Sequence, residues 1–447
     1  MVKFRRKAYN DLLTWKKESN GTTAILVEGA RRVGKTTLVK EFVSNEYKSY
    51  IIIDFSVADK SIIQIFEDTL SNFDEFFMRL EFATKTTLYE RQSAIVFDEV
   101  QLYPKARQMI KHLVADHRYD YIETGSLISI RENVKDILIP SEEEDLKMYP
   151  MDFEEFLWAT GDQTSMDHIR YYFENRQPLG REMHEKILRQ YRIYMIVGGM
   201  PQVVDTYIQE KSLKNIERSK RNIINLYRKD MPKFSKSTAS RALNLFVAVP
   251  TLLSSKKKIL MPSKIQEGTR LRDYESSLIW LSEAMIVNLC YCQTDPSIAS
   301  GLDIDSSRVK PYLFDTGLLI SLAFGKEDKF RDQVYDALLR GKLSINEGMF
   351  FENMVAQELV AQGHELIFTE FKTKESTSVY EVDFLISGLN KVSPVEVKSS
   401  ESSRHKSLDV FCEKFRRRIE RPVVIHSKDL REDNGILYIP IYMTMLL

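Results

Sequence analysis

The stretch that most restricts this chain runs from Ala24 to Val39. It reads Ala24-Ile-Leu-Val-Glu-Gly29, then Ala30-Arg31-Arg32-Val33-Gly34-Lys35-Thr36-Thr37, then Leu38-Val39. An apolar run, the spacing G-x-x-x-x-G-K-T and a helix start give a strand, a phosphate-binding loop and a helix, in that order. Glycines let backbone N–H groups curl round phosphate oxygens, and the helix N-terminus adds the positive end of its dipole. Gly29, Ala30, Arg31, Arg32, Val33, Gly34, Lys35, Thr36 and Thr37 are therefore the expected nucleotide contacts. Lys35 is expected to reach the β- and γ-phosphates, and the Thr36 hydroxyl suits Mg²⁺. The alternative is a glycine-containing turn that merely shares the spacing; the strand before it and the helix after it argue against that.

Further strands give the loop its chemistry. Tyr50-Ile-Ile-Ile-Asp-Phe55 reads as a buried β-branched strand, and helical segments follow from about Ser61 to Tyr89. Ser93-Ala-Ile-Val-Phe-Asp98-Glu99 is another apolar strand, ending in two carboxylates. An acidic strand exit is common by itself. Behind a phosphate-binding loop it places Asp98 as a Mg²⁺ ligand and Glu99 as the group that polarises the attacking water. A third strand, Tyr119-Asp-Tyr-Ile-Glu-Thr124-Gly125-Ser126, ends in small polar residues at the edge where a parallel sheet binds ligands. A hydroxyl there is expected to sense the γ-phosphate or position water, Ser126 first and Thr124 second. A helix N-cap is the other reading.

At 447 residues the chain exceeds one ordinary core, so roughly two to four domains are expected. Apolar content of 43% and charged content of 29% describe a globular protein. The 64 Lys and Arg balance the 64 Asp and Glu, so nucleic-acid contact would depend on local basic patches. Cys290, Cys292 and Cys412 are too few and too scattered for a disulfide framework or a closed zinc site. Cys290-Tyr-Cys292 is expected to turn two thiols to one face of a strand, and a reducing cytoplasm fits this usage. Lys3-Phe-Arg-Arg-Lys7 is basic, but it leads into an amphipathic helix rather than the apolar h-region of a signal peptide. No run approaches the roughly 18 apolar residues of a membrane span.

Residues from about 150 to 235 read as helices interrupted by a turn at Gly198-Gly-Met-Pro201. Arg228 is either a trans-acting or sensor arginine or an exposed helix residue. The acidic run Ser141-Glu-Glu-Glu-Asp145 reads as a solvated loop. From about Ser237 the expected order is a helix to Val249 before Pro250, a short helix near Pro262, a helix from Arg270 to Met285, and two strands. That is the order of a winged helix, with Lys264, Arg270 and Arg272 able to face phosphates. Protein contacts, or plain solvation of these basic residues, are the alternatives.

Near the C-terminus, Phe350-Phe-Glu352-Asn-Met-Val-Ala-Gln-Glu-Leu359 reads as an amphipathic helix. Strand-like Glu365–Glu370 and Tyr380-Glu-Val-Asp383-Phe-Leu-Ile386 follow, then Pro394-Val-Glu396-Val-Lys398. Period-two geometry puts Glu396 and Lys398 on one strand face. Asp383, from the paired strand, is expected to complete a carboxylate site for Mg²⁺, with Lys398 expected to orient the nucleophile and offset developing charge. Asp383 with Glu396-x-Lys398 resembles the signature of the PD-(D/E)xK nuclease superfamily, and Glu352 looks like its additional acidic residue. The expected catalytic set is then Lys35, Glu99, Glu352, Asp383, Glu396 and Lys398, and the expected metal ligands are Thr36, Asp98, Asp383 and Glu396. Alternating charged and apolar residues are common in strands, so a nuclease-like fold without cleavage stays open. Ser403-Arg404-His405-Lys406 reads as phosphate contacts or as an exposed helix cap.

Taken together, Gly-Ala-Arg-Arg-Val-Gly-Lys-Thr-Thr, Phe-Asp-Glu-Val-Gln and Thr-Gly-Ser resemble the AAA+ ATPases of bacteria and archaea that carry a C-terminal domain of unknown function. The resemblance continues through Met148-Tyr-Pro-Met-Asp-Phe-Glu-Glu-Phe156, Val197-Gly-Gly-Met-Pro201, Leu226-Tyr-Arg-Lys-Asp230 and Phe314-Asp-Thr-Gly-Leu-Leu319. It implies ATP binding and hydrolysis, with a helical and winged-helix-like middle. The expected layout is a multidomain α/β chain: a P-loop AAA+ ATPase core at 1–150, a helical lid-like region at 151–235, a winged-helix-like domain at 236–330, and a restriction-endonuclease-like α/β domain at 331–447. ATP and Mg²⁺ are the expected cofactors. DNA or another nucleic acid and further copies of the chain are the expected partners, with no membrane and a cytoplasmic setting. Two functions stand side by side: nucleotide-controlled nucleic-acid cleavage, and a nucleotide-dependent switch or scaffold whose nuclease-like end is inert.

Overall fold

Alternation along Ala24–Gly29 sends Ile25 and Val27 to one face of a strand and Ala24 and Leu26 to the other, so this strand needs cover on both sides. The structure, a computed structural model, describes residues 3–69, 72–125, 141–233, 236–296, 303–324, 328–342, 347–373, 376–388, 391–399 and 405–447. It divides into two compact units, Met1–Tyr149 with Glu283–Met285, and Pro150–Ser282 with Ile286–Leu447.

In the first unit the described elements are α1 (Ala8–Ser19), β1 (Ala24–Gly29), α2 (Lys35–Glu46), β2 (Ser49–Asp54), α3 (Lys60–Asp68), α4 (Phe73–Thr84), β3 (Ser93–Asp98), α5 (Pro104–Asp116), β4 (Asp120–Gly125) and β5 (Glu143–Met148). The strands pair in the order β2-β3-β4-β1-β5, every pair parallel. One face is covered by α1 and α2 through Leu12, Trp15, Leu38 and Phe42. The other is covered by α3, α4 and α5 through Phe66, Phe76, Leu80, Ile110 and Leu113. Cover on both faces is what a parallel sheet requires, and it leaves the strand exits as the accessible edge.

The acidic run is no loop. Glu143, Glu144 and Asp145 open β5, which pairs with β1 from Ala24↔Glu143 to Gly29↔Met148. Charge is tolerated because β5 is an edge strand and Glu144 and Asp145 stay exposed. The Glu143 side chain, 4% exposed, accepts from Arg107 Nη2 at 2.6 Å.

The second unit starts with helices α6 (Phe153–Ala159), α7 (Ser165–Glu174), α8 (Arg181–Val197), α9 (Pro201–Glu210) and α10 (Leu213–Asp230). As the Gly-Gly-Met-Pro sequence requires, α8 ends at Val197 and α9 begins at Pro201. The break is a packing node. Met151 N–H donates to the Gly199 carbonyl at 2.7 Å, and Tyr194 O–H donates to the Met151 carbonyl at 2.8 Å. The fully buried Asp315 carboxylate accepts from Gly199 N–H at 2.7 Å and from Leu318 N–H at 2.8 Å. Three of the motifs seen in the sequence thus meet in one place and hold the backbone.

Then come α11 (Lys236–Ser254), α12 (Glu275–Glu283), β6 (Val287–Gln293), β7 (Ile304–Leu313), α13 (Thr316–Ala323) and α14 (Asp328–Leu339). The helix expected to stop before Pro250 runs through it, since burial of Leu245, Phe246, Leu252 and Leu253 outweighs one lost backbone hydrogen bond. The helix expected from Arg270 starts only at Glu275. Asp273 accepts from Arg270 N–H at 2.8 Å, so Arg270 and Arg272 lie exposed in a 3₁₀ turn rather than along a helix. Cys290 and Cys292 are free and buried on β6.

Last come α15 (Glu347–Ala361), β8 (Ile367–Thr373), β9 (Ser376–Val382), β10 (Phe384–Ser387), β11 (Val392–Val397), α16 (Lys406–Lys414), β12 (Val423–His426), β13 (Arg431–Asp433) and β14 (Ile436–Pro440). Among the described residues two sheets form, β7-β6-β8-β9 and β10-β11-β12-β14-β13. The ribbon β6–β7 joins the C-terminal strands through the parallel pair β6–β8, so residues 236–330 and 331–447 share a sheet where the sequence reading draws a boundary. Asp383 is the residue at which the chain leaves the first sheet and enters the second.

The node gives a direct test. A Cβ on Gly199 would lie 2.1 Å from the Met151 carbonyl oxygen, a backbone atom that cannot swing aside. Gly199→Ala should destabilise the second unit by about 1–3 kcal/mol. Thermal unfolding of the variant beside the parent checks this, and an unchanged midpoint would contradict the node.

Candidate functional site

The loop between β1 and α2 carries backbone geometry that few sequences permit. Gly34 has φ 106°, a left-handed value that leaves glycine in its lowest-cost role, and Leu38 N–H already donates to its carbonyl at 3.0 Å. Helix α2 therefore begins at Lys35 with its first N–H groups directed at the loop. The Lys35 ammonium is buried and donates to the carbonyls of Gly29 at 2.9 Å and Ala30 at 3.2 Å. Burial pushes its pKa down to about 8, against the opposing pull of the Glu99 and Asp98 charges. An ammonium held by two neutral carbonyls is a receptive partner for an anion.

Asp98 ends β3, which β4 separates from β1. Its Oδ1 nevertheless accepts from the Thr36 hydroxyl at 2.9 Å and also from the Thr124 hydroxyl. Thr124, one residue before the end of β4, lies between the two strands and accepts from Glu99 N–H at 3.4 Å. Glu99 has φ 55° and ψ 44°, an uncommon conformation for a residue without a glycine's freedom, and its carboxylate accepts from Gln101 Nε2. Thr36, Asp98, Lys35 and Glu99 thus come together. Arg31, Arg32 and Thr37 are exposed on the loop and the first turn of α2, and Ala30 and Val33 are buried. Ser126 lies outside the described residues.

From the sequence, Gln101 has no role, and Thr124 is the second choice, behind Ser126, for the hydroxyl that senses the γ-phosphate or positions water. In the structure Thr124 bonds Asp98. Gln101 is inside the Asp-Glu-Val-Gln motif, yet only its contact to Glu99 gives it a role. A hydroxyl and a carboxylate on one point suit a hard divalent cation, so Thr36 and Asp98 fit Mg²⁺.

In the second unit, continuing the β10–β11 register places Asp383 opposite Glu396. Asp383 Oδ2 accepts from Val397 N–H at 2.8 Å, and Lys398 Nζ donates to Glu396 Oε1 at 2.6 Å. Burial, then the Asp383 charge, pushes Glu396 up to about 7, with Lys398 opposing. These three are brought together. Glu352, on α15, has other partners: Lys258 pairs with it, Tyr312 O–H donates to it, and Lys310 Nζ stands 3.8 Å away. Lys310 also bonds Glu381 at 2.7 Å; burial works against its ammonium, but the Glu381 and Asp383 charges outweigh it and raise its pKa. Among the described residues no three His, Cys, Asp or Glu side chains stand close enough to hold a metal ion. Arg228 lies in the last turn of α10, in the second unit. His405 precedes α16 and meets Tyr438 O–H at 2.7 Å.

With this geometry in view, residues 21–157 match the family described as AAA domain, and the parallel α/β sheet of the first unit resembles a P-loop ATPase core. Residues 188–329 and 347–443 match two families described as domains of unknown function, DUF8612 and DUF4143. No curated protein matches the chain. Among solved structures, the Walker-type ATPase of Pyrococcus abyssi is similar at 14% identity and TM-score 0.42, over 72% of this chain and 96% of that one. The RuvB Holliday junction branch migration motor of Thermotoga maritima is similar at 10% identity and TM-score 0.29, over 64% and 89%. Cdc6p of Pyrobaculum aerophilum is similar at 13% identity and TM-score 0.23, over 75% and 94%. No helix among the described residues is long and apolar enough to cross a membrane.

Glu28, just before the loop, makes a pH test possible. Burial, then the Asp145 charge, pushes it from 4.5 up to about 7, with Arg107 and Lys147 opposing. Its folded value lies above the ordinary one, so its stabilising contribution is complete below about pH 4.5 and is lost as pH rises through about 7. The full span is worth about 3 kcal/mol. Glu28→Gln should therefore gain on the parent in thermal midpoint between about pH 5 and pH 8. Parallel curves would contradict the assignment.

Proposed function

We propose that this protein binds ATP with Mg²⁺ at the β1–α2 loop and hydrolyses it to ADP and phosphate. The observation that carries the reading is the hydroxyl–carboxylate contact of Thr36 with Asp98, beside the buried Lys35 and the constrained Glu99. Thr36 and Asp98 would hold the cation, which when bound offsets charge on the phosphates. Lys35 then turns its ammonium from the loop carbonyls to the phosphate oxygens. Glu99, oriented by its backbone and by Gln101, takes the hydrogen bond of the attacking water, and Thr124 keeps Asp98 in place.

For the second unit, we read nucleotide state as the control on a metal-dependent, nuclease-like centre acting on nucleic acid. The order α15, β8, β9–β10, β11, α16, β12, and the adjacency of Asp383, Glu396 and Lys398, support it. A second reading, a nucleotide-dependent switch that binds a protein partner through an inert C-terminal end, has its own support. Glu352 is already paired with Lys258 and bonded by Tyr312, and Lys310 adds further positive charge beside it, so its carboxylate is compensated without a metal.

Two experiments test these readings. Lys35→Ala should lose at least about ten-fold in ATP affinity. Glu99→Gln should keep binding while turnover falls by about 100-fold or more. Retention of full affinity in Lys35→Ala would refute the nucleotide site. Purified full-length protein incubated with Mn²⁺ or Mg²⁺, with and without ATP, should cut DNA or RNA, and Asp383→Ala should abolish cutting. Failure to cut any of a broad set of substrates in either nucleotide state would leave the switch reading in its place.

A further inference from the structure

Arg6 lies before α1, outside the stretch that matches the AAA domain, and is 7% exposed. Its guanidinium donates through Nη1 to the Val33 carbonyl at 2.9 Å and through Nη2 to the Tyr149 carbonyl at 2.7 Å. Val33 itself closes a turn, its N–H donating to Ala30 at 3.3 Å. One planar fork therefore joins the N-terminal segment, the phosphate-binding loop and the exit of β5.

The carbonyl that Arg6 holds belongs to the Val33–Gly34 peptide. That peptide is trans and planar, so the Gly34 N–H must point opposite to the held oxygen. Gly34 does little to hold its own peptide, because glycine rotates freely into left-handed and extended conformations alike. Lys35 holds the Gly29 and Ala30 carbonyls, and the peptide before Gly34 is left to Arg6. A charge-assisted bond to the carbonyl also polarises the peptide and strengthens its N–H as a donor.

We propose that Arg6 is a positioning residue for nucleotide: it fixes and polarises the Val33–Gly34 peptide so that the Gly34 N–H is presented to a phosphate oxygen. This rests on the reading of the loop as an ATP site. Arg6 touches no nucleotide; it acts through the peptide. Its effect falls on ground-state phosphate binding, because the donor is prearranged rather than recruited during reaction.

The test uses the full chain, a fluorescent ADP analogue for affinity, ATP hydrolysis for KM and kcat, and the thermal midpoint without nucleotide. Arg6→Gln should weaken ADP-analogue binding about ten-fold. The ATP KM should rise by a similar factor with kcat within about two-fold. Arg6→Lys keeps the charge but cannot fork across two carbonyls, so its affinity should fall between the parent and Arg6→Gln. Lys35→Ala serves as reference, and unchanged affinity there would mean that the loop reading has failed rather than the clamp. If Arg6→Gln lowers the thermal midpoint and leaves affinity and KM untouched, the residue is only structural and the proposal is overturned. If Arg6→Gln does not fold, Arg6→Lys decides: parental affinity overturns the clamp, weakened affinity at a parental midpoint upholds it.

Discussion

A carboxylate at the end of β3 must stand against a hydroxyl in the first turn of α2, and the first unit is arranged so that it does. Asp98 ends β3, Thr36 opens the helix that follows β1, and β3 and β1 are not neighbours. Only a parallel sheet with β4 between β1 and β3 brings their exits to one edge, and only cover by helices on both faces makes such a sheet stable. Thr124 fills the intervening exit with a hydroxyl rather than an apolar side chain, so the buried Asp98 keeps its hydrogen-bond partners. Lys35, Glu99 and Gln101 then take their places around that contact.

The second unit poses the reverse electrostatic problem. Carboxylates gather near Asp383, and the chain compensates them with its own lysines. Lys258 comes from the segment after α11, Lys310 from β7 and Lys398 from the end of β11. Lys310 is fully buried, and an ammonium that deep is tolerable only with carboxylates around it. The same packing that ties the β6–β7 ribbon to β8 carries Lys310 and Tyr312 to Glu352. The charge state of this centre is therefore set by segments on both sides of the boundary drawn in the sequence.

Some of this was legible beforehand and some was not, for reasons that can be stated. The β1–α2 loop lies in one continuous strand, turn and helix, and its glycines and Lys35 declare themselves in a few residues. The turn at Gly198–Pro201 is equally local, since glycine and proline restrict backbone wherever they stand. The acidic run became β5 because an edge strand needs only one buried face and Arg107 was available to Glu143. The helix through Pro250 persisted because its burial outweighs a local penalty. In both places a local rule was overridden by a partner or a burial that the local pattern does not record.

The sequence by itself determined the groups offered at the N-terminal site: the glycines and Lys35 of one loop, and the carboxylates that follow a buried strand. It also determined the Glu-x-Lys alternation at Glu396 and Lys398. Tertiary structure alone decided which partners those groups meet. Arg6 reaches Val33 across 27 positions and Tyr149 across 143, and Lys258 reaches Glu352 across 94. Spacing rules follow the repeat of a strand or a helix turn and carry no information at such separations. Which distant side chain fills a buried charge's need for a partner is settled only when the elements pack.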